Sequence, residues 1–138
     1  MLKAKDIMTK QVITVRKDTP IGKALELLAK NYITGIPVVE DDMVLVGIVT
    51  EKDVLRLFHA NENQKNETVN GFMTQPVVHF DENEDLPDVC DCLMNYFFRR
   101  VPVTSNGKVV GIISRADMIE HILRQWQANT APTAGASK

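Results

Sequence analysis

The stretch Gly47-Ile48-Val49-Thr50-Glu51-Lys52-Asp53 recurs as Gly111-Ile112-Ile113-Ser114-Arg115-Ala116-Asp117. Each copy has an apolar run, then a hydroxyl residue, then an aspartate three positions further along. We expect the apolar run to form a strand and the hydroxyl residue to begin a helix. A chain that carries such a pattern twice is expected to be an internal repeat.

The repeat extends on both sides of this stretch. Met8 and Met73 lie 65 residues apart in matching Met-Thr pairs, whereas Gly47 and Gly111 lie 64 apart. One residue is therefore missing from the second copy, in an interval where a hairpin loop is expected and length changes are tolerated. The predicted division is repeat one (1–60), a linker (61–68), repeat two (69–126) and a flexible tail (127–138).

Each repeat is predicted to run strand, helix, strand, strand, helix. β-Branched runs indicate strands, and apolar residues at helical spacing indicate helices. The first helix of repeat one is expected at Asp18-Thr19-Pro20, a capping residue followed by proline in the first turn. The predicted buried stripes are Ile21, Ala24, Leu25 and Leu28, then Leu86, Val89, Cys90 and Leu93. First strands are predicted at 12–15 and 77–80, and closing helices at 51–59 and 115–127.

Hairpins are predicted between the middle strands of each repeat. Asn106-Gly107 lies between apolar runs, and both residue types accept the positive φ of a tight hairpin turn. Asp41-Asp42 takes the corresponding place in repeat one. One repeat is too small to bury both faces of its sheet, so we expect the two to pack with approximate two-fold symmetry around one core. The predicted fold class is α+β, with two equivalent clefts between the repeats.

Composition and charge narrow the class of protein. The chain has 138 residues and a net charge of −2, which argues against the basic face of a nucleic-acid-binding protein. No apolar run reaches about 18 residues, and the first residues do not resemble a signal peptide. We therefore expect no membrane contact and a cytoplasmic location. Cys90 and Cys92 lie two apart and histidine occurs three times, so neither a disulfide nor a metal site is expected.

The doubled polar motif has two physical interpretations. Thr50 and Ser114, each three residues before an aspartate, are typical of a helix N-cap with a reciprocal capping box. The start of a helix after a strand also binds anions, and a nearby aspartate can accept hydrogen bonds from ribose hydroxyls. A single copy favours the cap. Repetition in register, after Pro37 and Pro102 segments that offer an apolar wall for a base, favours a pair of nucleotide sites.

These motifs resemble those of a tandem pair of CBS domains, also called a Bateman module. The resemblance covers about residues 4–123 and rests on the Met-Thr openings, on Gly35-Ile36-Pro37-Val38-Val39 with Arg100-Val101-Pro102-Val103, and on the doubled motif. It implies a regulatory module that binds adenosyl ligands, most often AMP, ADP or ATP, and signals to a partner by conformational change. It also implies a homodimer, and no other cofactor is expected.

The resemblance assigns roles to individual residues. Thr50 or Ser114 is expected to contact phosphate, and Asp53 or Asp117 to contact ribose. The first strand and the segment around the proline are expected to line the base and phosphate pocket. These residues are Val12, Ile13, Thr14, Gly35, Ile36 and Pro37 in repeat one, and Val77, Val78, His79, Arg100, Val101 and Pro102 in repeat two.

The two repeats differ in positive charge. Repeat two carries Arg99, Arg100, Arg115 and Lys108, where repeat one has Lys52 as the comparable cation. Because forked guanidinium groups suit phosphate better than a lone ammonium, our hypothesis is that the cleft of repeat two prefers ligands with more phosphate charge. The alternative for Arg99-Arg100 is a solvated surface pair.

Other function classes are less favoured by the sequence. Ser114, Asp117 and His121 lie on consecutive turns of one helix, an arrangement that rarely holds a catalytic triad, so we do not expect an enzyme. A ligand-free dimerisation or interaction module stays open as an alternative, as does a site for S-adenosylmethionine or NAD. The target is expected to be a separate regulated protein.

Overall fold

The computed structural model describes residues 1–96 and 98–134 in two matched repeats. The helices are α1 (Ala4–Ile7), α2 (Ile21–Asn31), α3 (Glu51–Val54), α4 (Glu62–Lys65), α5 (Leu86–Asn95) and α6 (Arg115–Ala134). The strands are β1 (Gly35–Val39), β2 (Leu45–Thr50), β3 (Phe80–Asp81), β4 (Arg100–Ser105) and β5 (Lys108–Ser114). This combination of helices and strands confirms the predicted α+β fold class.

Each repeat contains one antiparallel hairpin, β1–β2 or β4–β5. Gly35 pairs with Thr50 and Arg100 with Ser114, so the first strand of each hairpin starts opposite the hydroxyl residue of the doubled motif. Asn106-Gly107 has φ values of 53° and 80°, which confirms the predicted tight turn. In repeat one a 3-10 turn at Asp41–Met43 makes the connection, and this turn holds the extra residue.

The first strands are shorter than the sequence predicts. Of residues 12–15, only Val15 forms a β-bridge, which is parallel to Val38. Of residues 77–80, only Phe80 belongs to a strand, β3, which pairs parallel to β4. The preceding residues line surface cavities instead, so their tertiary position overrides the β propensity of their side chains.

Helix α2 begins later than predicted, and its buried stripe is narrower. Pro20 is the N-cap residue, and the Thr19 hydroxyl accepts a hydrogen bond from Arg16 N (3.0 Å) instead of capping the helix. Leu25 is 44% exposed. In α5, Cys90 of the predicted stripe is only partly buried, and Cys92, which lies outside that stripe, is buried. The buried residues of the two helices are Ile21, Ala24, Leu28, Leu86, Val89, Cys92 and Leu93.

The linker and the C-terminal segment contain more helix than predicted. Asn61 caps α4 in a reciprocal box with Gln64, with bonds of 2.9 and 3.0 Å. Helix α3 continues as a 3-10 helix over Leu55–His59. Helix α6 runs to Ala134, seven residues past the predicted end, and residues 135–138 of the predicted flexible tail lie outside the described residues.

The opening segment of each repeat packs on the core of the other. Ala4 is fully buried in the repeat-two cluster, where Met8 also packs, and Val69 and Phe72 are buried in the repeat-one cluster. Two hydrophobic clusters therefore take the place of the single shared core predicted from the sequence. Each opening segment is thus exchanged between the repeats and completes the hydrophobic cluster of the other one. This exchange of opening segments fixes the relative orientation of the two repeats.

Candidate ligand-binding clefts

Both copies of the doubled motif form a capping box. Thr50 N donates to Asp53 Oδ2 (2.8 Å), and Thr50 Oγ1 accepts from Asp53 N (3.4 Å). In repeat two, Ser114 N donates to Asp117 Oδ2 (2.8 Å), and Ser114 Oγ accepts from Asp117 N (3.1 Å). The predicted cap is therefore confirmed in both repeats, and it uses only one oxygen of each carboxylate.

The second carboxylate oxygen binds a threonine of the other repeat. Thr74 Oγ1 donates to Asp53 Oδ1, and Thr9 Oγ1 donates to Asp117 Oδ1, both at 3.1 Å. The backbone beside each threonine pairs with the strand that leads into the motif, Thr74 with Ile48 and Thr9 with Ile112. The exchanged segments thus bring the hydroxyl of each Met-Thr pair to the aspartate of the opposite motif, a contact that sequence reasoning missed.

A first cleft of about 310 Å3 lies beside the motif of repeat one. Repeat one supplies the motif, and repeat two supplies an apolar wall and two arginines. Its lining residues are Thr34, Gly35, Ile48, Thr50, Glu51, Lys52, Thr74, Val77, Val78, Phe98, Arg99 and Arg100. Asp53 is absent from this lining and lies one hydrogen bond behind Thr50 and Thr74.

A second cleft of about 170 Å3 lies beside the motif of repeat two. Its lining residues are Thr9, Gln11, Val12, Ile13, Ile33, Gly35, Arg100, Ile112, Ser114 and Asp117. Most of these residues have a repeat-related counterpart in the first cleft. Thr9, Val12 and Ile13 of repeat one match Thr74, Val77 and Val78 of repeat two, and Ile112 and Ser114 of repeat two match Ile48 and Thr50 of repeat one. The two clefts are therefore related by the predicted approximate two-fold symmetry, but they differ in size and charge.

Arg100 lines both clefts and is partly buried between them. Its Nε donates to Thr34 Oγ1 of the other repeat at 3.1 Å. Removal from water lowers the pKa of Arg100, and the nearby carboxylates of Asp117 and Glu51 oppose that shift. An arginine stays charged despite such a shift, so a cation lies at the boundary of the two clefts.

The other cations of repeat two do not gather at its own motif. Arg99 lines the first cleft, beside the motif of repeat one. Arg115 donates from Nη2 to the carbonyl oxygen of Tyr96 (3.0 Å) and lines neither cleft, and Lys108 lies at the exposed start of β5. The preference for more phosphate charge stays a hypothesis, but among the described residues the cations cluster in the cleft beside the motif of repeat one, which Lys52, Arg99 and Arg100 line.

Besides Asp53 and Arg115, six predicted site residues line neither cleft. Ile36, Pro37, Val101 and Pro102 are fully buried, because strands β1 and β4 turn these side chains into the protein beyond the first residue. Thr14 and His79 line other surface depressions, of about 560 and 450 Å3. Apolar wall residues come instead from Val77, Val78 and Phe98 in the first cleft, and from Val12, Ile13 and Ile33 in the second.

Within residues 1–96 and 98–134, no group of three or more histidine, cysteine or acidic residues is arranged to hold a metal ion. No helix in the same part of the chain is long and apolar enough to cross a membrane.

Comparison with known proteins gives a consistent family. The CBS domain model matches residues 4–60 and 69–124. Protein MJ1225 of Methanocaldococcus jannaschii is 33% identical over 129 residues, which cover 94% of this chain and 46% of that protein. Chloroplastic CBSX1 of Arabidopsis thaliana is 32% identical over 149 residues, covering 86% of this chain and 63% of that one. This chain thus spans only about half to two-thirds of these relatives.

Two solved structures are similar in fold. CBSX2 of Arabidopsis thaliana in complex with AMP has a TM-score of 0.80 and 32% identity, covering 90% of this chain and 98% of that chain. The CBS domain pair of protein MJ0100, in complex with 5′-methylthioadenosine and S-adenosyl-L-methionine, has a TM-score of 0.76 and 28% identity. It covers 91% of this chain and 98% of that chain.

Proposed function

Because the chain belongs to the CBS-domain family, we propose that it is a regulatory module that binds adenosyl ligands in the clefts between its repeats. The observation that carries this proposal concerns the aspartate of each doubled motif. Its second carboxylate oxygen, Oδ1, takes no part in the capping box and accepts a hydrogen bond from a threonine of the other repeat. A ligand that joins or replaces that threonine contacts both repeats at once. The AMP and S-adenosylmethionine complexes of the two similar structures support the ligand class.

Ribose recognition is assigned to the two aspartates. A carboxylate oxygen has two lone pairs, so it can accept a ribose hydroxyl in addition to its present donor. Asp117 reaches the second cleft directly. Asp53 does not line the first cleft, so its assigned role there requires the Thr74 hydroxyl to move away from Asp53 Oδ1. Apolar walls at Val77, Val78 and Phe98, or at Val12, Ile13 and Ile33, are then available to the base.

Phosphate recognition is assigned mainly to the first cleft. Lys52, Arg99 and Arg100 line it, whereas Arg100 is the cation among the described lining residues of the second cleft. The first cleft is also larger. We therefore assign ATP or ADP to the first cleft and a ligand with less phosphate, such as AMP, to the second.

Regulation follows from the placement of the ligand between the repeats. A ligand shifts the relative orientation of the repeats only by the difference in its affinity for the two arrangements. A homodimer is part of the proposal, because apolar side chains are exposed at matched positions of the closing helices. They are Leu55, Phe58, Ile119 and Ile122. A separate protein would respond to the change in orientation.

A thermal-shift series tests the proposal. AMP, ADP, ATP, NAD and S-adenosylmethionine are each added to the chain and to an Asp53→Asn/Asp117→Asn variant. Ligand at about 100 times its Kd stabilises the folded state by about 2.7 kcal/mol, so the melting temperature rises in the wild type and much less in the variant.

The exposed apolar residues of the closing helices favour a second candidate, a ligand-free interaction module. A melting temperature that no adenosyl compound raises supports that candidate and contradicts ligand binding.

A further inference from the structure

The two clefts meet at a pair of matched residues, Gly35 and Arg100. Gly35 opens β1 opposite Thr50, and Arg100 opens β4 opposite Ser114. Both residues line both clefts. The clefts are therefore neighbours across this pair, although each is built around a different copy of the doubled motif.

The matched residues differ completely in what they offer an anion. Gly35 has no side chain, whereas Arg100 carries a guanidinium group. A symmetric pair of cations would give each cleft one of its own. With a glycine at one of the two positions, a single cation lies at the boundary and is shared.

The surroundings of Arg100 hold it between the clefts without neutralising it. Among the residues that the structure describes, its one side-chain hydrogen bond runs from Nε to the uncharged Thr34. Glu51 lines the first cleft and Asp117 the second, and both attract the guanidinium. Neither lies within the 4.0 Å of an ion pair. The Nη groups therefore remain available to a phosphate on either side.

We infer that Arg100 couples the two clefts, so that an anionic adenosyl ligand in one cleft weakens the binding of an anionic ligand in the other. The forked donors of a guanidinium bind one phosphate in a bidentate manner. A second phosphate then approaches a cation whose charge is already compensated, and it is repelled by the first phosphate. Such coupling is reciprocal, since each ligand must change the affinity of the other by the same factor.

This inference rests on the proposed function and is tested by titration calorimetry with AMP and with adenosine, which lacks the phosphate. Val78→Trp fills the first cleft and Gln11→Trp fills the second, each from an exposed position that lines only that cleft. Each variant gives the affinity of the remaining cleft alone. In the wild type, the second AMP enters a cleft while the other cleft already holds AMP. We expect its affinity to be about tenfold lower than the affinity of that same cleft for AMP in the single-cleft variant.

Two controls isolate the role of Arg100. Adenosine is expected to give the same affinities in the wild type and the single-cleft variants, because it has no phosphate to compete for the guanidinium. Arg100→Gln is expected to weaken AMP binding, and in this background the second AMP is expected to bind a cleft as tightly as AMP binds that cleft in its single-cleft variant. Asp53→Asn and Asp117→Asn supply an independent pair of single-cleft variants should a tryptophan variant fail to fold.

The outcomes separate the two proposals. Wild-type AMP affinities equal to those of the single-cleft variants overturn the coupling but leave the proposed function intact. Binding of AMP in only one of the two single-cleft variants also overturns the coupling, because a second site is then lacking. If neither AMP nor adenosine binds to any form of the chain, the proposed function fails together with the coupling. Coupling that persists in Arg100→Gln contradicts the assignment to this residue.

Discussion

Replacing Asp117 by alanine separates the two roles assigned to the doubled motif. Asp117 accepts hydrogen bonds from Ser114 N at 2.8 Å and from Thr9 Oγ1 at 3.1 Å. At about 1 kcal/mol net for each bond, their loss lowers the free energy of unfolding by about 2 kcal/mol. For a chain of this size the melting temperature falls by roughly 6–10 °C.

The same substitution removes the acceptor proposed for the ribose. Two ribose hydrogen bonds of about 1 kcal/mol each correspond to roughly 30-fold weaker AMP binding in the second cleft. The affinity is measured by calorimetry well below the melting temperature, with Val78→Trp present so that only the second cleft is open. Stability is measured by thermal denaturation of the same samples.

Asn61→Ala is the matched control. Asn61 caps α4 with a bond of 3.0 Å from Gln64 N, and it lines neither cleft. Its loss costs up to about 1 kcal/mol of stability and is expected to leave AMP affinity unchanged. If Asp117→Ala loses stability while AMP binds the second cleft as before, Asp117 is a helix cap alone and its ribose assignment is wrong.

Two further predictions concern the packing of the repeats and the proposed dimer. A Cβ on Gly111 would overlap Met8 Sδ and lie 3.0 Å from Met8 Cβ, so Gly111→Ala is expected to cost about 1–3 kcal/mol in urea unfolding. A Cβ on Gly22 would meet no heavy atom within 4 Å, so Gly22→Ala is expected to leave stability unchanged or raise it by up to about 1 kcal/mol. Equal losses of stability in Gly111→Ala and Gly22→Ala would contradict the packing argument. Phe58 is 85% exposed, and Phe58→Asp is expected to halve the mass found by analytical ultracentrifugation. Tyr32→Asp, at a 93% exposed position at the end of α2 and outside the closing helices, is expected to preserve it, and a dimer that survives Phe58→Asp excludes the proposed interface.

The features that the sequence predicts correctly depend on residues close together in the chain. A capping box needs a hydroxyl and a carboxylate three residues apart, and both copies of the motif form one. The Asn106-Gly107 turn depends on two adjacent residues that accept positive φ. Because these local signals occur twice along the chain, they also predict that the protein consists of two repeats with an α+β fold.

The exchange of opening segments has no local signal. Thr9 and Asp117 are 108 residues apart, and neither composition nor periodicity indicates which repeat an opening segment packs against. The repeated Met-Thr pair shows only that the segment has a recurring role. The placement of Arg99 and Arg100 was missed for the same reason, since the cleft that they line is decided by how the repeats pack.

The geometry of a strand explains why four of the predicted site residues do not line the described clefts. The resemblance implies that Ile36, Pro37, Val101 and Pro102 line the pocket, but the hairpins bury them completely. Of the residues of β1 and β4, only the first in each strand, Gly35 or Arg100, lines the clefts. The apolar runs at 12–15 and 77–80 were predicted to be strands, and most of their residues line cavities instead.

A crystal structure of the chain grown with AMP tests the central claim most directly. We expect AMP between the repeats, with ribose hydroxyls within about 3.2 Å of the Asp53 or Asp117 carboxylate. We also expect its phosphate to lie against Arg99 or Arg100. AMP bound outside both clefts, or clefts that stay empty at millimolar AMP, would contradict the claim that these clefts are adenosyl sites.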